Sequence, residues 1–399
     1  MTYLRGRRWA RRAREAGNGG AIVRIGIVTT VFAPNAECGG PVTVAGQHAR
    51  ELVRRGHEVT VFTSDLIAFA PRTHLGALEC QDDGLTIRYF RSWAPRPRYP
   101  AVLARVAAGI RERATRLDVV HIHFAREVIP ASTAAATRSL GIPTVLQPHG
   151  MLGNVAGIRG VVDRLWVRRA LENASVVLAL QDHERGQLER LAPGARIRIL
   201  PNGIAAGSSP GRADGNGHHP KTVLFLARLH PRKRVMAFIE MARLLRDGGV
   251  DARFVVVGHD AGDRAQAERR VSALGLSDAV SFAGGVPASE VAAWYEAADV
   301  YVLPAVDEPF PLTALEAMRA GVPVVVTDRC GISSALERAG AALVSSPDPA
   351  SLSHHVKRIL TDSEVADRLA TAGPRSVATT FSITSVVDHL EELYADAAS

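Results

Sequence analysis

Cysteine is scarce in this chain of 399 residues. Its three cysteines, Cys38, Cys80 and Cys330, lie far apart, form no CxxC pair and are odd in number. Neither a disulfide framework nor a zinc site is therefore expected. This cysteine usage favours a reducing compartment, so the sequence predicts a cytoplasmic protein.

Long apolar runs are also lacking. No run is long enough to span a bilayer. The first twenty residues carry six arginines and no apolar segment of the kind that a secretory signal needs. We expect residues 1–20 to be a disordered basic tail; the alternative is a basic arm that contacts an anionic surface.

The motifs of two common protein classes are missing. The chain contains no GxGxxG fingerprint, which weakens an interpretation as a dehydrogenase. Aromatic residues make up only 5% of the chain, and no nucleic-acid-binding motif is present. We therefore expect no nucleic-acid partner.

Charge is distributed unevenly along the chain. Residues 1–200 contain 29 arginines and 16 acidic residues, a net charge of +13, whereas the remaining residues carry −5. The asymmetry predicts that the first half meets an anionic partner, such as a membrane surface or a phosphorylated acceptor. The stretch Arg91–Arg116, with seven arginines and one glutamate, indicates contact with an anionic membrane or a lipid-linked acceptor; a solvated helical face is the alternative.

Short β-branched runs alternate with longer amphipathic stretches, which is typical of βαβ units and parallel sheets. The pattern predicts an α/β fold with two doubly wound, Rossmann-like domains. The strands predicted in the first half are Ile22–Thr30, Glu58–Thr63, Thr86–Phe90, Asp118–His123, Pro143–Pro148, Ser175–Ala179 and Arg196–Leu200. Those predicted in the second half are Thr222–Ala227, Ala252–Val257, Ala279–Phe282, Asp299–Leu303, Pro323–Val326 and Ala342–Ser345.

The two halves are separated by Ala205–Pro220, a segment rich in Gly, Ser and Pro. This composition predicts a linker or a surface loop. We expect an N-terminal domain over residues 21–202 and a C-terminal domain over residues 203–375. A C-terminal helical segment, residues 376–399, is expected to return to the N-terminal domain. Ligands of open α/β sheets bind beyond the carboxyl ends of the strands, so functional residues should follow strands and face a central cleft.

The most informative segment is Asp299–Asp328, which predicts a buried strand, a loop, a helix over about Leu312–Ala320 and a second strand. Gly321 and Pro323 suit the end of that helix. Glu308 lies on the loop and Glu316 on the helix. A helix N-terminus can bind phosphate, and carboxylates accept strong hydrogen bonds from sugar hydroxyls. The alternative is that both are ordinary solvated acids.

Three further groups follow predicted strands. Arg228 and Lys233 come directly after the strand that ends at Ala227 and suit a diphosphate. Gly39 and Gly40 lie in a loop before an amphipathic helix, where adjacent glycines permit close approach of a ligand. His149 ends another strand and is expected to point into the cleft, whereas His121 and His123 are more typical of packed residues.

Together these segments resemble the retaining glycosyltransferases of the two-Rossmann-domain (GT-B) architecture called family 4, from about residue 22 to the end. The segments that carry the resemblance, in chain order, are GGPVTVAGQHARELVRRGHEVTVFT, DVVHIHF, PHGML, ILPNGI, ARLHPRKR, FVVVGHD, VSFAGGV and the E-x7-E segment that ends in LEAMRAGVPVVVTD. Each is modest alone, and their order makes the resemblance specific.

The resemblance implies roles for the site residues. Arg228 and Lys233 would hold the donor diphosphate, Glu316 the ribose hydroxyls and Glu308 the hydroxyls of the donor sugar. His149 would approach the sugar near the reacting carbon. The remaining substrate-binding positions would be the phosphate-facing and acceptor-facing Gly39 and Gly40, the base-binding Gly258, Gly285 and Val286, and the backbone of Phe310, Pro311, Leu312 and Thr313.

The resemblance also implies the chemistry. A nucleotide diphosphate sugar, with UDP or GDP, would donate its sugar to a hydroxyl of a glycan, a lipid-linked compound or a small molecule, with retained anomeric configuration. No metal or other cofactor is expected, because cationic side chains and a helix dipole stabilise the leaving group. Pro309 and Pro311 replace glycines common in the family, and Pro311 removes an amide that could bind phosphate. Ala227 likewise stands where glycine is common.

Two other functions stay open at this stage. One is a sugar-nucleotide epimerase or hydrolase on the same fold, since a fold does not determine a function. The other is a non-catalytic nucleotide-sugar-binding protein. The presence of Arg228, Lys233, Glu308 and Glu316 argues against the second.

Overall fold

A computed structural model describes residues 22–33, 39–69, 72–93, 102–153, 160–161, 166–205 and 220–398. The chain divides into two compact units. Unit 1 comprises Met1–Gly203 and Ile383–Ser399, and unit 2 comprises Ile204–Ser382. The expected basic tail, and the predicted linker apart from its two ends, lie outside the described residues.

Unit 1 is built on an eight-stranded sheet with the order β12-β11-β10-β9-β1-β2-β6-β5. Only β5 runs antiparallel to its neighbour, β6. Two further antiparallel pairs, β3 with β4 and β7 with β8, lie outside this sheet. The strands are β1 (Arg24–Val28), β2 (Glu58–Ser64), β3 (Leu66–Phe69), β4 (Arg72–His74), β5 (Leu78–Asp82), β6 (Leu85–Phe90), β7 (Ser92–Trp93), β8 (Leu103–Ala104), β9 (Val119–His123), β10 (Thr144–Gln147), β11 (Val176–Ala179) and β12 (Ile197–Ile199).

Helices cover both faces of this sheet, because alternate strand residues point to opposite faces. Ile25 and Ile27 belong to one apolar cluster with Leu52 and Leu390, whereas Val28 belongs to the other. Burial of one such leucine contributes roughly 2 kcal/mol. The helices are α1 (Gly39–Arg54), α2 (Val106–Arg113), α3 (Val128–Leu140), α4 (Arg168–Asn173), α5 (Asp182–Leu191) and, from the end of the chain, α13 (Ile383–Ala397).

The last helix belongs to unit 1, but it begins later than residue 376. Residues 376–380 are still part of a unit 2 helix, Ser363–Thr380, and α13 starts only at Ile383. Its Glu391 carboxylate lies 2.7 Å from His57 Nε2 and 2.8 Å from the Arg55 guanidinium. These polar contacts, together with the apolar face of α13, hold the end of the chain against α1 and the turn that follows it.

Unit 2 contains a six-stranded, fully parallel sheet with the order β15-β14-β13-β16-β17-β18. Its strands are β13 (Lys221–Leu226), β14 (Ala252–Val257), β15 (Val280–Gly284), β16 (Val300–Leu303), β17 (Val324–Thr327) and β18 (Leu343–Ser345). The chain order reverses between β13 and β16. That switch point is where doubly wound sheets bind ligands.

The helices of unit 2 connect successive strands. They are α6 (Val235–Asp247), α7 (Arg264–Ala273), α8 (Val291–Glu296), α9 (Leu312–Arg319), α10 (Ser333–Arg338), α11 (Pro349–Thr361) and α12 (Ser363–Thr380). Helix α9 buries Ala314, Leu315, Ala317 and Met318. Gly321 follows it with φ of +75°, as expected for a left-handed residue beyond a helix end.

The predicted α/β fold is confirmed, since every strand predicted from the sequence is present. Among the described helices, none is both long and apolar enough to cross a membrane.

Candidate active site

The switch point of unit 2 brings two predicted site residues into contact. Lys233 Nζ donates a hydrogen bond to Glu308 Oε2 over 2.7 Å, and Arg232 lies 3.6 Å from the same oxygen. Glu308 is only 8% exposed. A carboxylate this deeply buried needs a cation beside it, and Lys233 provides that charge.

Backbone hydrogen bonds tie together the loops that carry this pair. The amide of Val306 donates to Arg232 O over 2.9 Å, and the amide of Gly331 donates to Glu308 O over 2.8 Å. A single 3₁₀ turn, Pro231–Lys233, is capped by His230 Nδ1, which accepts from Arg232 N over 3.2 Å. The position of Lys233 is therefore set by local backbone geometry rather than by a long flexible loop.

Arg228 follows β13 on the same side of the switch point. Its neighbour Leu229 is buried and donates its amide to His259 O over 2.9 Å, so the Arg228 backbone is anchored. The Arg228 side chain is exposed, and its guanidinium has no hydrogen-bond or ion-pair partner in the part of the chain that the structure describes. All of its donors can thus serve an anionic ligand.

Glu316 lies on α9 beside two tyrosines that the sequence interpretation missed. Tyr295 Oη lies 3.0 Å from both Glu316 Oε2 and Thr313 O. Burial raises the pKa of Glu316, and the hydrogen bond from Tyr295 opposes that shift. Tyr301 Oη donates to Thr313 Oγ1 over 2.7 Å and so fixes the start of the helix.

Pro311 occupies the N-cap of α9 and contributes no amide hydrogen. The Leu312 amide donates a hydrogen bond to Phe310 O over 3.1 Å. The amide of Thr313, in contrast, has no acceptor among the described residues. The buried Phe310 ring packs 5.9 Å from the ring of Phe381. This N-terminus therefore offers fewer phosphate-binding amides than a glycine at residue 311 would allow.

Two predicted glycines hold the loops after β14 and β15 close to their neighbours. Gly258 has φ of +151°, and a Cβ there would lie 1.9 Å from Ala227 O. A Cβ on Gly285 would lie 2.1 Å from the His259 ring. Val286, next to Gly285, is half-buried. The strand ends could not pack in this way with larger residues.

In unit 1, His149 occupies a turn after β10 with φ of +55°, which is unusual for a residue other than glycine. Its Nε2 lies 2.7 Å from His123 Nδ1, and burial lowers the pKa of His149 to about 3. The imidazole is therefore neutral at physiological pH. Its Nδ1 is buried and has no partner among the described residues.

Glu184, which the sequence interpretation missed, fixes the turn that follows His149. Its Oε1 accepts from Gly150 N over 2.5 Å, and its Oε2 accepts from Leu180 N over 2.7 Å. Burial raises the pKa of Glu184, although both hydrogen bonds oppose that shift. One side chain thus connects the His149 turn to the start of α5.

Gly39 and Gly40 form the first turn of α1. The sequence predicted that both glycines lie in a loop before this helix, and that prediction was wrong, because the helix begins at Gly39. A helix N-terminus can present unpaired amides to a ligand. Residues 34–38, which precede it, lie outside the described residues.

The predicted site residues thus fall into two sets. His149, Gly39 and Gly40 belong to unit 1, and all the others belong to unit 2. In unit 2 they gather at the carboxyl edge of one sheet, as the switch-point rule predicts.

Comparison with known proteins identifies the family. Residues 212–376 match the family "Glycosyl transferases group 1", and residues 39–203 match the family "Glycosyl transferase 4-like domain". A D-inositol 3-phosphate glycosyltransferase of Geodermatophilus obscurus is 30% identical, covering 91% of this chain and 86% of the relative. The chain belongs to the group 1 glycosyltransferases, family 4. A second relative of the same name, from Acidothermus cellulolyticus, is 31% identical over 81% of this chain and 78% of its own length.

Solved structures establish the architecture of this glycosyltransferase as GT-B. A sucrose-phosphate synthase from Thermosynechococcus elongatus has a TM-score of 0.75 at 21% identity, covering 94% of this chain and 100% of that one. The Anabaena protein Alr3699/HepE, in complex with UDP and glucose, has a TM-score of 0.70 at 16% identity, covering 93% and 99%. At these identities the similarity concerns the fold.

Proposed function

We propose that this glycosyltransferase transfers a sugar, with retention of anomeric configuration, from a UDP- or GDP-sugar to a hydroxyl acceptor. The observation that carries the proposal is the edge of the unit 2 sheet, where two cations and two carboxylates follow neighbouring strands. Cations suit the diphosphate of such a donor, and carboxylates suit its hydroxyls. A dehydrogenase or a nucleic-acid-binding protein has no need of this combination.

The donor diphosphate would be bound by Arg228, Lys233 and the amide of Thr313. Arg228 has a free guanidinium that can grip two phosphate oxygens at once, and Lys233 adds a point charge. Glu316 would accept hydrogen bonds from the ribose hydroxyls. The loops at Gly258, Gly285 and Val286 would surround the base. In support, Alr3699/HepE binds UDP.

The proposed sugar-binding residue of unit 2 is Glu308, and the proposed catalytic residue of unit 1 is His149. Glu308 can accept hydrogen bonds from sugar hydroxyls, and the neutral His149 can donate or accept one through Nδ1. Glu184 positions the His149 turn through Gly150.

The proposed reaction is a same-face displacement. The bond between the anomeric carbon and the phosphate oxygen breaks, and a bond from that carbon to the acceptor oxygen forms. The acceptor's proton passes to the departing phosphate oxygen. Arg228 and Lys233 stabilise the negative charge that develops on the phosphate, so this step needs no metal.

We propose an anionic acceptor, phosphorylated or lipid-linked. The first half of the chain carries a net charge of +13, and curated relatives are named for inositol 3-phosphate, itself anionic. Glycans and small-molecule hydroxyl compounds without a charge are the other acceptor classes. An electropositive surface raises the rate at which an anionic acceptor is encountered.

We further propose that unit 1 contacts an anionic membrane. Trp93, on β7, pairs with Leu103, on β8; both are exposed, and the exposed arginines Arg91 and Arg105 flank them. An aromatic side chain beside cations is typical of surfaces that lie on a membrane interface. Residues 94–101, which connect the two strands, lie outside the described residues.

A two-step experiment tests the proposed function. Nucleotide sugars are first screened by thermal shift, and the best donor is then incubated with phosphorylated and neutral acceptors. Mass spectrometry should show a product heavier by one sugar, and NMR should show the donor's anomeric configuration. Free sugar or an epimerised donor, equal with and without acceptor, would instead indicate a hydrolase or an epimerase.

A further inference from the structure

Unit 1 contains a buried cluster of histidines that the proposed transfer does not use. His121 and His123 lie two residues apart on β9, so both side chains point to one face of the sheet. His48 reaches them from α1, with its ring centroid 5.9 Å from that of His121 and 6.0 Å from that of His123. The centroids of His121 and His123 are 4.8 Å apart.

The ring nitrogens of this cluster are poorly satisfied. Both nitrogens of His48, Nε2 of His121 and Nε2 of His123 are buried and have no hydrogen-bond partner among the described residues. Each unpaired buried polar atom costs about 1–3 kcal/mol. One nitrogen from each of the three rings lies within 4.8 Å of the others. Each of the three rings therefore has at least one buried nitrogen without a partner among the described residues, and the three rings lie close enough to share one ligand.

The outer hydrogen bonds leave the inner nitrogens available for a ligand. His121 Nδ1 lies 2.9 Å from Tyr394 Oη, and His123 Nδ1 lies 2.7 Å from His149 Nε2. A histidine that binds a metal through one nitrogen usually engages a second partner through the other, which fixes its tautomer and orientation. Two of the three histidines already have such a partner.

We propose that His48, His121 and His123 bind one transition-metal ion of the zinc class inside unit 1. Imidazole nitrogens suit Zn²⁺, Co²⁺, Ni²⁺ and Cu²⁺, whereas Mg²⁺ and Ca²⁺ prefer oxygen ligands. Zinc–nitrogen bonds are about 2.0–2.1 Å long, so small side-chain rotations would bring the three nitrogens to bonding distance.

The fourth ligand would be a water molecule or Gln147 Oε1. Gln147 lies beside His123 in the sheet, and its buried side chain also faces His121. A zinc-bound water has a pKa of about 7 and can supply a balancing negative charge as hydroxide. The ion would join α1 to β9 and, through Tyr394, to α13, and would thus be structural.

Metal analysis of the untagged full-length chain tests this site. After expression with added zinc, elemental analysis should find about one zinc ion per chain, and Co²⁺ substitution should give the intense visible absorption of a four-coordinate site. Zinc, but not Mg²⁺, should raise the midpoint of thermal unfolding of the chelator-treated protein. His48→Leu should lose the metal, and His183→Ala, at an exposed histidine of the same unit, should keep it.

Tyr394→Phe provides a milder variant in case His48→Leu does not fold. It removes only the hydroxyl that orients His121, so zinc affinity should fall about 10–100-fold while the chain stays folded. Wild-type protein without zinc and without the four-coordinate Co²⁺ absorption would overturn the proposal. Equal zinc content in folded wild type and His48→Leu would do the same.

Discussion

Lys233 and Glu308 form an ion pair with a distance of 2.7 Å between Nζ and Oε2. These are the cation proposed for the donor phosphate and the carboxylate proposed for the donor sugar. Both side chains are largely buried, with 15% and 9% of their surface exposed. Each charge partly neutralises the other, because water screens the pair only weakly. In the proposed site, the donor phosphate would compete with Glu308 for Lys233, which would link phosphate binding to sugar binding.

The first prediction concerns this pair. Glu308→Gln should free the charge of Lys233, so UDP or GDP should bind several-fold more tightly while kcat falls. Lys233→Met should weaken binding and, because only the more distant Arg232 would then face the buried Glu308 carboxylate, reduce the free energy of unfolding by about 3 kcal/mol. Calorimetry and chemical denaturation measure both effects.

A double variant provides the control for this prediction. If the ion pair is the cause, Lys233→Met combined with Glu308→Gln should recover most of the lost stability. Additive losses in the double variant would show that the two side chains act independently.

The second prediction concerns pH. In the proposed site the Glu316 carboxylate binds the ribose, and burial raises the pKa of that group above its ordinary value of 4.5. Nucleotide affinity should therefore be full at neutral pH and fall on acidification, beginning at a higher pH than for an exposed glutamate. Calorimetric titrations between neutral pH and pH ~5 measure this decrease in affinity.

Tyr295→Phe sharpens the pH prediction. It removes the hydrogen bond that lowers the Glu316 pKa, so nucleotide affinity should begin to fall at a higher pH than in the wild type. Glu316→Gln, which cannot ionise, should bind the nucleotide weakly, and its affinity should not decrease on acidification. If both variants showed the same pH dependence of nucleotide affinity as the wild type, the proposed role of Glu316 would be disproved.

The third prediction concerns the His149 turn. Glu184→Ala removes the acceptor for Gly150 N and Leu180 N and should lower kcat about tenfold or more, with little change in nucleotide affinity. Glu184→Gln retains one oxygen acceptor and should restore part of kcat. Equal losses in kcat for the two variants would mean that Glu184 does not act through these hydrogen bonds.

The fourth prediction concerns the membrane. The chain should pellet with vesicles that contain anionic lipid and not with neutral vesicles, and the difference should shrink at high salt. Trp93→Ala should reduce this binding, whereas Trp166→Ala, at an equally exposed tryptophan of the same unit, should not. Equal pelleting with both kinds of vesicle would end the membrane proposal.

The sequence predicted the parallel strands and the loops that carry the site, because buried β-branched runs and strand ends are local signals. The positions of Arg228, Glu308 and Glu316 followed from those strand ends. The antiparallel strand β5 was missed, since its residues are mostly exposed and carry no apolar period.

Other parts of the site depend on long-range packing, which no local pattern encodes. Tyr295 meets Glu316 from 21 positions away, and Glu184 meets Gly150 from 34 positions away. The ion pair of Lys233 and Glu308 spans 75 positions. His48 did carry a local signal, because it is a polar residue on the apolar face of an amphipathic helix.

Nucleotide titration of Lys233→Met tests the central claim most directly. Wild-type protein should bind one UDP or GDP per chain, and Lys233→Met should bind it at least tenfold more weakly. Lys357→Met, the same change at an exposed lysine of unit 2, should bind as the wild type does. Equal affinities in all three proteins would contradict the claim that this edge of the unit 2 sheet holds the donor diphosphate.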